Sequence, residues 1–139
     1  MKKIALIFLA FFCLLSCEKM DGDSNVLVGK WQLVKYERET VHANGSIEKS
    51  SGTYDGTEYW VFNKDGSVKC TDKKGSIKEY TYSYDKENQI LTIGSDKITV
   101  KELTKSYIVT VNEINFVDGT VKPAGMGVTY YYNYWQKNN

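Results

Sequence analysis

The 139-residue chain has few residues of the kinds that build catalytic or metal sites. His42 is its single histidine, and it has no neighbouring histidine or cysteine with which to form a zinc site or a Cys–His nucleophile. Neither a phosphate-binding glycine loop nor a nucleophile elbow occurs. Glu37 and Glu39 share a strand face, which we expect to be solvated. The sequence therefore predicts a protein that is not an enzyme and that uses no metal or cofactor.

The chain also lacks an excess of charge of either sign, with 18 basic and 17 acidic residues. If residues 1–16 are removed as a signal peptide, Lys2 and Lys3 are lost and no acid is, so the formal net charge falls from +1 to −1. Nucleic-acid binders carry a basic footprint that this composition does not provide. We expect no nucleic-acid partner and a monomer.

The N-terminus has the layout of a secretory signal. Lys2 and Lys3 precede an apolar run at 4–15, which is too short to span a bilayer, since that requires about 20 apolar residues. The run ends in "LLSC", which resembles the lipobox of bacterial lipoproteins, with a small residue before Cys17. This resemblance implies that Cys17 is acylated with palmitate-type chains and anchors the protein in the outer membrane. An ordinary secretory signal is the alternative; Cys13 follows bulky Phe12 and does not fit the pattern.

The polar stretch 17–26 follows and reads as a flexible tether. Its acidic residues resemble the surface-export signal of some Gram-negative lipoproteins, although a plain solvated spacer has the same composition. The periplasmic face and the cell surface both stay open. Residues 27–139 then form a single predicted domain, in which Cys70 is the last cysteine, so no disulfide can form within it.

This domain shows β-type alternation interrupted by turn signals about every ten residues. Asp65-Gly66 between two alternating runs is a hairpin signal. Short turns between successive strands favour an antiparallel meander, and closing the meander removes its exposed edges. The pattern therefore predicts an all-β fold, a small eight-stranded antiparallel up-and-down barrel with an irregular mobile loop at 40–56. The predicted strands cover 29–39, 57–63, 67–72, 76–85, 89–94, 95–103, 107–117 and 128–135.

Three segments resemble the lipocalin-like domain of bacterial lipoproteins: "LVGKW" at 27–31, "YWVFNKDGSV" at 59–68 and the aromatic final strand "VTYYYNYW". The resemblance implies a barrel whose interior holds a small hydrophobic or amphipathic ligand. It also implies structural roles for Gly29 and Trp31, with a basic side chain over the indole ring. Lys137 is the first candidate for that cation and Arg38 the second.

The aromatic residues that face the interior are the candidate ligand contacts. On the fourth predicted strand the inner face is expected to hold Tyr80 and Tyr82. On the last strand, polar Asn133 favours the odd-numbered residues as the outer set. Packing of the closing strand is the favoured explanation for most of these rings, and a filled barrel that contacts proteins or glycans through its surface is the alternative function. The predicted ligand-binding residues are Trp60, Phe62, Tyr80, Tyr82, Tyr130 and Tyr132.

Replacing Cys17 by serine tests the predicted anchor. Without the thiol no acyl chain can be attached, so we expect Cys17→Ser to be soluble or to retain its signal peptide when cell fractions are immunoblotted. Cys13→Ser is the matched control and should stay with the membrane. A Cys17→Ser protein that is cleaved and still membrane-bound would contradict the lipobox interpretation.

Overall fold

A computed structural model describes residues 24–114 and 127–139. Cys17 and the glycine-rich segment at 118–126 lie outside the described residues. Within the described ranges, no helix combines the length and apolarity needed to cross a membrane. One turn of helix precedes nine strands: α1 (Ser24–Leu27), β1 (Gly29–Val41), β2 (Ile47–Thr53), β3 (Tyr59–Phe62), β4 (Ser67–Thr71), β5 (Ile77–Asp85), β6 (Ile90–Ile93), β7 (Asp96–Leu103), β8 (Tyr107–Ile114) and β9 (Val128–Asn138).

The long strand β1 closes the sheet on itself. One of its edges pairs with β9, from Lys30 opposite Asn138 to Val41 opposite Val128. Its other edge pairs with β3 near the start of β1 and with β2 near its end. From β3 onward each strand pairs antiparallel with the next until β9 is reached, so β1 and β3–β9 form a closed ring of eight. The predicted eight-stranded antiparallel barrel is confirmed.

The irregular loop predicted at 40–56 is wrong over most of its length, because a hairpin of β1 and β2 occupies it. The turn is built on Asn44, whose side-chain oxygen accepts a hydrogen bond of 2.9 Å from the Ser46 amide, followed by Gly45 at a φ of 83°. The sequence of β2, "IEKSSGT", has no apolar alternation because nearly all of the strand is exposed. Periodicity therefore gives no signal there.

The core occupies the end of the barrel at which α1 enters. Leu27, Trp31 and Phe62 are almost completely buried, and the indole nitrogen of Trp31 donates a 2.7 Å hydrogen bond to the Leu27 carbonyl. The turn of α1 thus covers this end, which we call the closed end. The other buried apolar residues of the core are Leu33, Val68, Leu91, Ile93, Val100, Ile108 and Trp135.

The Gly29–Lys–Trp31 segment is explained by the side chain that crosses it. Lys137 Nζ lies 5.0 Å from the centre of the Trp31 ring and donates a 3.0 Å hydrogen bond to the Val26 carbonyl. Gly29 has a φ of 131°, and a Cβ on it would lie 2.7 Å from Lys137 Cε. Only glycine allows both the backbone conformation and the passage of the lysine. Arg38, the second candidate for this cation, lies elsewhere.

Substituting Trp31 tests its place in the core. We expect Trp31→Ala to lower the free energy of unfolding by about 3–5 kcal/mol, because a large, fully buried ring is replaced by a cavity. Chemical denaturation measures the change. Tyr59→Ala, an aromatic truncation on β3 where that strand faces outward, is the control and should cost much less. Equal losses for the two variants would contradict the packing described here.

Candidate functional site

The packed core ends at a pair of stacked indoles. Trp60 and Trp135 have ring centres 3.6 Å apart and an interplanar angle of 17°. Trp135 is buried, but the next inward-facing residues along β9, Asn133 and Tyr131, are only partly buried. The interior is therefore filled from the closed end up to the indoles and is open beyond them. We call the part beyond the indoles the open half.

The open half has a wall of aromatic and polar side chains. A cavity of about 310 Å³ is lined by Tyr36, Arg38, Ser50, Tyr54 and Tyr131. The rings of Tyr36 and Tyr54 are 5.4 Å apart and inclined by 59°. We call these five residues the tyrosine–arginine wall.

The Tyr54 side chain is held in place from across the barrel. Its hydroxyl donates a 3.0 Å hydrogen bond to the Asn133 side-chain oxygen. Burial, followed by the charge of Glu58, raises the pKa of Tyr54, so the phenol stays neutral. Tyr54 therefore presents its ring to the cavity, while its hydroxyl is already bonded to protein.

A glycine on β2 makes room for the opposite side of the wall. Gly52 pairs with Tyr36 across the β1–β2 ladder, and a Cβ on Gly52 would lie 2.7 Å from the Tyr36 ring. The phenol ring lies over the glycine, where any side chain would displace it. The cavity thus depends on a missing side chain at position 52.

Charged groups gather nearer the mouth, where a second cavity of about 210 Å³ adjoins Arg38 and Tyr131. Arg38 Nη2 lies 3.6 Å from Glu48 Oε1, and His42 Nε2 lies 3.4 Å from Glu48 Oε2. One carboxylate is therefore shared by two potential cations. The interior thus changes from apolar at the closed end, through aromatic, to charged at the mouth.

Four of the predicted ligand-binding residues lie on inner faces, but three of them pack against one another or against the core. Phe62 is buried, Trp60 is in the indole stack, and the Tyr82 ring lies 4.8 Å from Phe62. The Tyr82 hydroxyl donates to the Asn63 carbonyl at 3.0 Å. Tyr80 is 39% exposed, but it pairs with Val68, which is buried and faces inward. The inner tyrosine face expected for this strand is therefore found.

The orientation expected for the last strand is wrong. The odd-numbered residues Tyr131, Asn133 and Trp135 face inward, and Tyr130 and Tyr132 face outward. Burial of the indole sets the face of the strand, and the polar Asn133 is tolerated inside because Tyr54 donates to it. Tyr130 and Tyr132 consequently do not line the interior.

The tyrosine–arginine wall was not predicted, because an irregularity in β1 hides it. Leu33 pairs with Trp135 but Lys35 pairs with Tyr134, so Val34 is an extra residue in the ladder. Such a bulge reverses the alternation of faces. Inward positions are odd-numbered up to Leu33 and even-numbered from Tyr36. Because of the bulge, the sequence pattern does not predict that Tyr36 and Arg38 face inward. Ser50 and Tyr54 fall within the segment 40–56, which was predicted to be an irregular loop.

The lone thiol of the domain has no counterpart that would make it reactive. Desolvation raises the pKa of Cys70 to about 11, so the thiolate form is scarce at neutral pH. Among residues 24–114 and 127–139, no cluster of three or more histidine, cysteine or acidic side chains is arranged to hold a metal ion.

Comparisons with known proteins give structural likenesses alone. No protein-family model matches the chain, and no curated protein is significantly similar to it. It is similar to a lipocalin-like protein from Bacteroides uniformis ATCC 8492, with 18% identity, a TM-score of 0.40, and coverage of 81% of this chain and 99% of that one. It is also similar to an uncharacterized protein from Bacteroides eggerthii DSM 20697, with 19% identity, a TM-score of 0.37 and the same coverage. Neither likeness bears on what the open half binds.

The outward-facing tyrosines of β9 are engaged by neighbours across the closing seam. The Tyr134 hydroxyl donates a 2.8 Å hydrogen bond to Glu37, and Lys35 Nζ lies 4.0 Å from the centre of the Tyr134 ring. Lys101 lies 4.5 Å from the centre of the Tyr132 ring. The hydrogen bond from Tyr134, and next the one from Lys35, lower the pKa of Glu37.

Removing the Tyr134 hydroxyl tests this arrangement through pH. Because the folded-state pKa of Glu37 lies below its usual 4.5, its stabilising effect is present at neutral pH and is lost as the pH falls through the folded-state value. We therefore expect Tyr134→Phe to lower the melting temperature at pH 7 and to have less effect near pH 3. Tyr132→Phe keeps its ring under Lys101 and is the control. A pH-independent effect of Tyr134→Phe would contradict the assigned hydrogen bond.

Proposed function

We propose that this chain is an outer-membrane lipoprotein, anchored through Cys17, whose lipocalin-like barrel binds a small amphipathic ligand in its open half. The observation that supports the proposal best is the cavity lined by the tyrosine–arginine wall. Ligand sites combine apolar and aromatic walls with a few placed polar groups. Here three phenol rings form the aromatic wall, and Arg38 and Ser50 supply the polar groups.

The filled part of the barrel limits the size of the ligand. Phe62 and Val68 are buried and the indole stack covers the core, so the wall cavity continues toward the mouth and not into the core. Small-molecule sites measure about 300–1,000 Å³, and the wall cavity of about 310 Å³ lies at the lower limit. The proposal is therefore a compact metabolite and not a long acyl chain.

The position of the anchor supports a ligand that arrives from water. The chain enters at the closed end through α1, and Cys17 precedes Ser24 by seven residues, a reach of at most roughly 25 Å. Strand β1 runs from that end to the mouth over 13 residues, roughly 40 Å. With Cys17 in the bilayer, we expect the closed end to lie nearer the membrane than the mouth.

We propose binding without catalysis, by a monomer. The wall offers phenols, a serine hydroxyl and a guanidinium, and burial raises the pKa of Tyr54 further above neutral pH. The alternative, an interaction module that uses its outer tyrosines, is less well supported. Tyr132 and Tyr134 are already in contact with Lys101, Lys35 and Glu37 of their own barrel.

Filling the space over Gly52 tests the location of the site. We expect Gly52→Val to weaken binding of the neutral fluorescent amine N-phenyl-1-naphthylamine about tenfold or more, equivalent to roughly 1.4 kcal/mol, because the new side chain or the displaced Tyr36 ring occupies the cavity. Fluorescence titration of the full chain measures the affinity. Ser51→Val, on the outer side of the same strand, is the matched control. Equal affinities for the two variants, with unchanged melting temperatures, would contradict a site in the open half.

A further inference from the structure

The cationic member of the tyrosine–arginine wall belongs to a residue type that occurs once. Arg38 is the only arginine among the 18 basic residues of the chain. It lies opposite Tyr131 on β9 and Ser50 on β2, and it borders both cavities of the open half. A guanidinium is thus placed where the aromatic part of the interior meets the charged mouth.

The charge of Arg38 is only loosely compensated. Its contact with Glu48 is a single one of 3.6 Å, longer than a charge-assisted hydrogen bond, and the two side chains are 39% and 60% exposed. Glu48 also faces His42 at 3.4 Å. Glu37, Glu39 and Lys49 alternate with Arg38 and Ser50 along β1 and β2 and line a further cavity of about 220 Å³ with them. Glu37 is paired with Lys35, and Glu39 is paired with Lys49. The five donors of the guanidinium are therefore largely available to a ligand.

We propose that the ligand is a planar aromatic acid, with its anionic group on Arg38 and its ring against the tyrosine–arginine wall. Arginine suits this arrangement because it binds a carboxylate or sulfonate through two parallel hydrogen bonds and is weakly hydrated. The rings of Tyr36 and Tyr54 lie on the side of Arg38 toward the indole stack, and Tyr131 is level with Arg38 on the neighbouring strand. Such a ligand enters with its apolar part first. This inference rests on the proposed function and names the ligand class for the same site.

Two fluorescent probes that differ by one anionic group separate the inference from the function beneath it. 1-Anilinonaphthalene-8-sulfonate is N-phenyl-1-naphthylamine with an added sulfonate. Each is titrated into the full chain, its Arg38→Gln variant and its Lys49→Gln variant. Lys49→Gln removes the same charge from the outer face of the same hairpin. The binding that Gly52→Val weakens at least tenfold is binding in the open half.

We expect Arg38→Gln to weaken sulfonate binding about ten- to hundredfold more than it weakens binding of the neutral amine, and Lys49→Gln to affect neither by more than about twofold. Arg38→Lys keeps the charge and loses the paired donors, so its affinity for the sulfonate should lie between those of the wild type and Arg38→Gln. If Arg38→Gln does not fold, the affinity of Arg38→Lys for the sulfonate tests the proposal instead. Equal weakening by Arg38→Gln and Lys49→Gln would overturn the proposal, since net charge alone would then explain it. Equal weakening of both probes by Arg38→Gln would overturn it too. If Gly52→Val weakens binding of neither probe, the proposed function itself fails.

Discussion

The pairing of β1 with β9 is the constraint on which the rest of this structure depends. It joins the two ends of the domain over residues 30–41 and 128–138 and converts an open meander into a ring. Contacts of three kinds cross it: Lys137 over Trp31 at the closed end, Tyr134 to Glu37 on the outside, and the Thr40 hydroxyl 3.1 Å from that of Thr129 near the mouth. Without this seam, β1 and β9 would each expose a long edge of unpaired amides.

The same seam divides the interior into a packed half and an open half. The extra residue Val34 reverses the facing of β1, so apolar Trp31 and Leu33 give way to Tyr36 and Arg38 on the inside. The lower part of the barrel is filled with side chains. A single bulge thus lets one strand supply both the core that stabilises the barrel and the wall that we propose binds a ligand. The two roles occupy successive segments of β1 and need not compete for the same residues.

The sequence predicts the fold better than the site, for a physical reason. Burial on one face leaves an alternating pattern, so all eight ring strands and the inner face of Tyr82 are predicted from periodicity. Strand β2 is exposed and leaves no such pattern, and a bulge such as that at Val34 inverts the pattern without any change in composition. Asn133 misleads because its partner, Tyr54, is 79 residues away in sequence. The wall lies where these three effects meet, which is why the sequence alone points to Tyr130 and Tyr132.

Native mass spectrometry of the full chain, purified from cells that make it naturally, tests most directly whether the open half holds a small aromatic acid. We expect one bound small molecule per chain, whose accurate mass and fragmentation show an aromatic ring and an acidic group. Repeated recovery of bare protein under conditions that preserve known complexes would contradict it. So would a bound molecule that is a long-chain lipid.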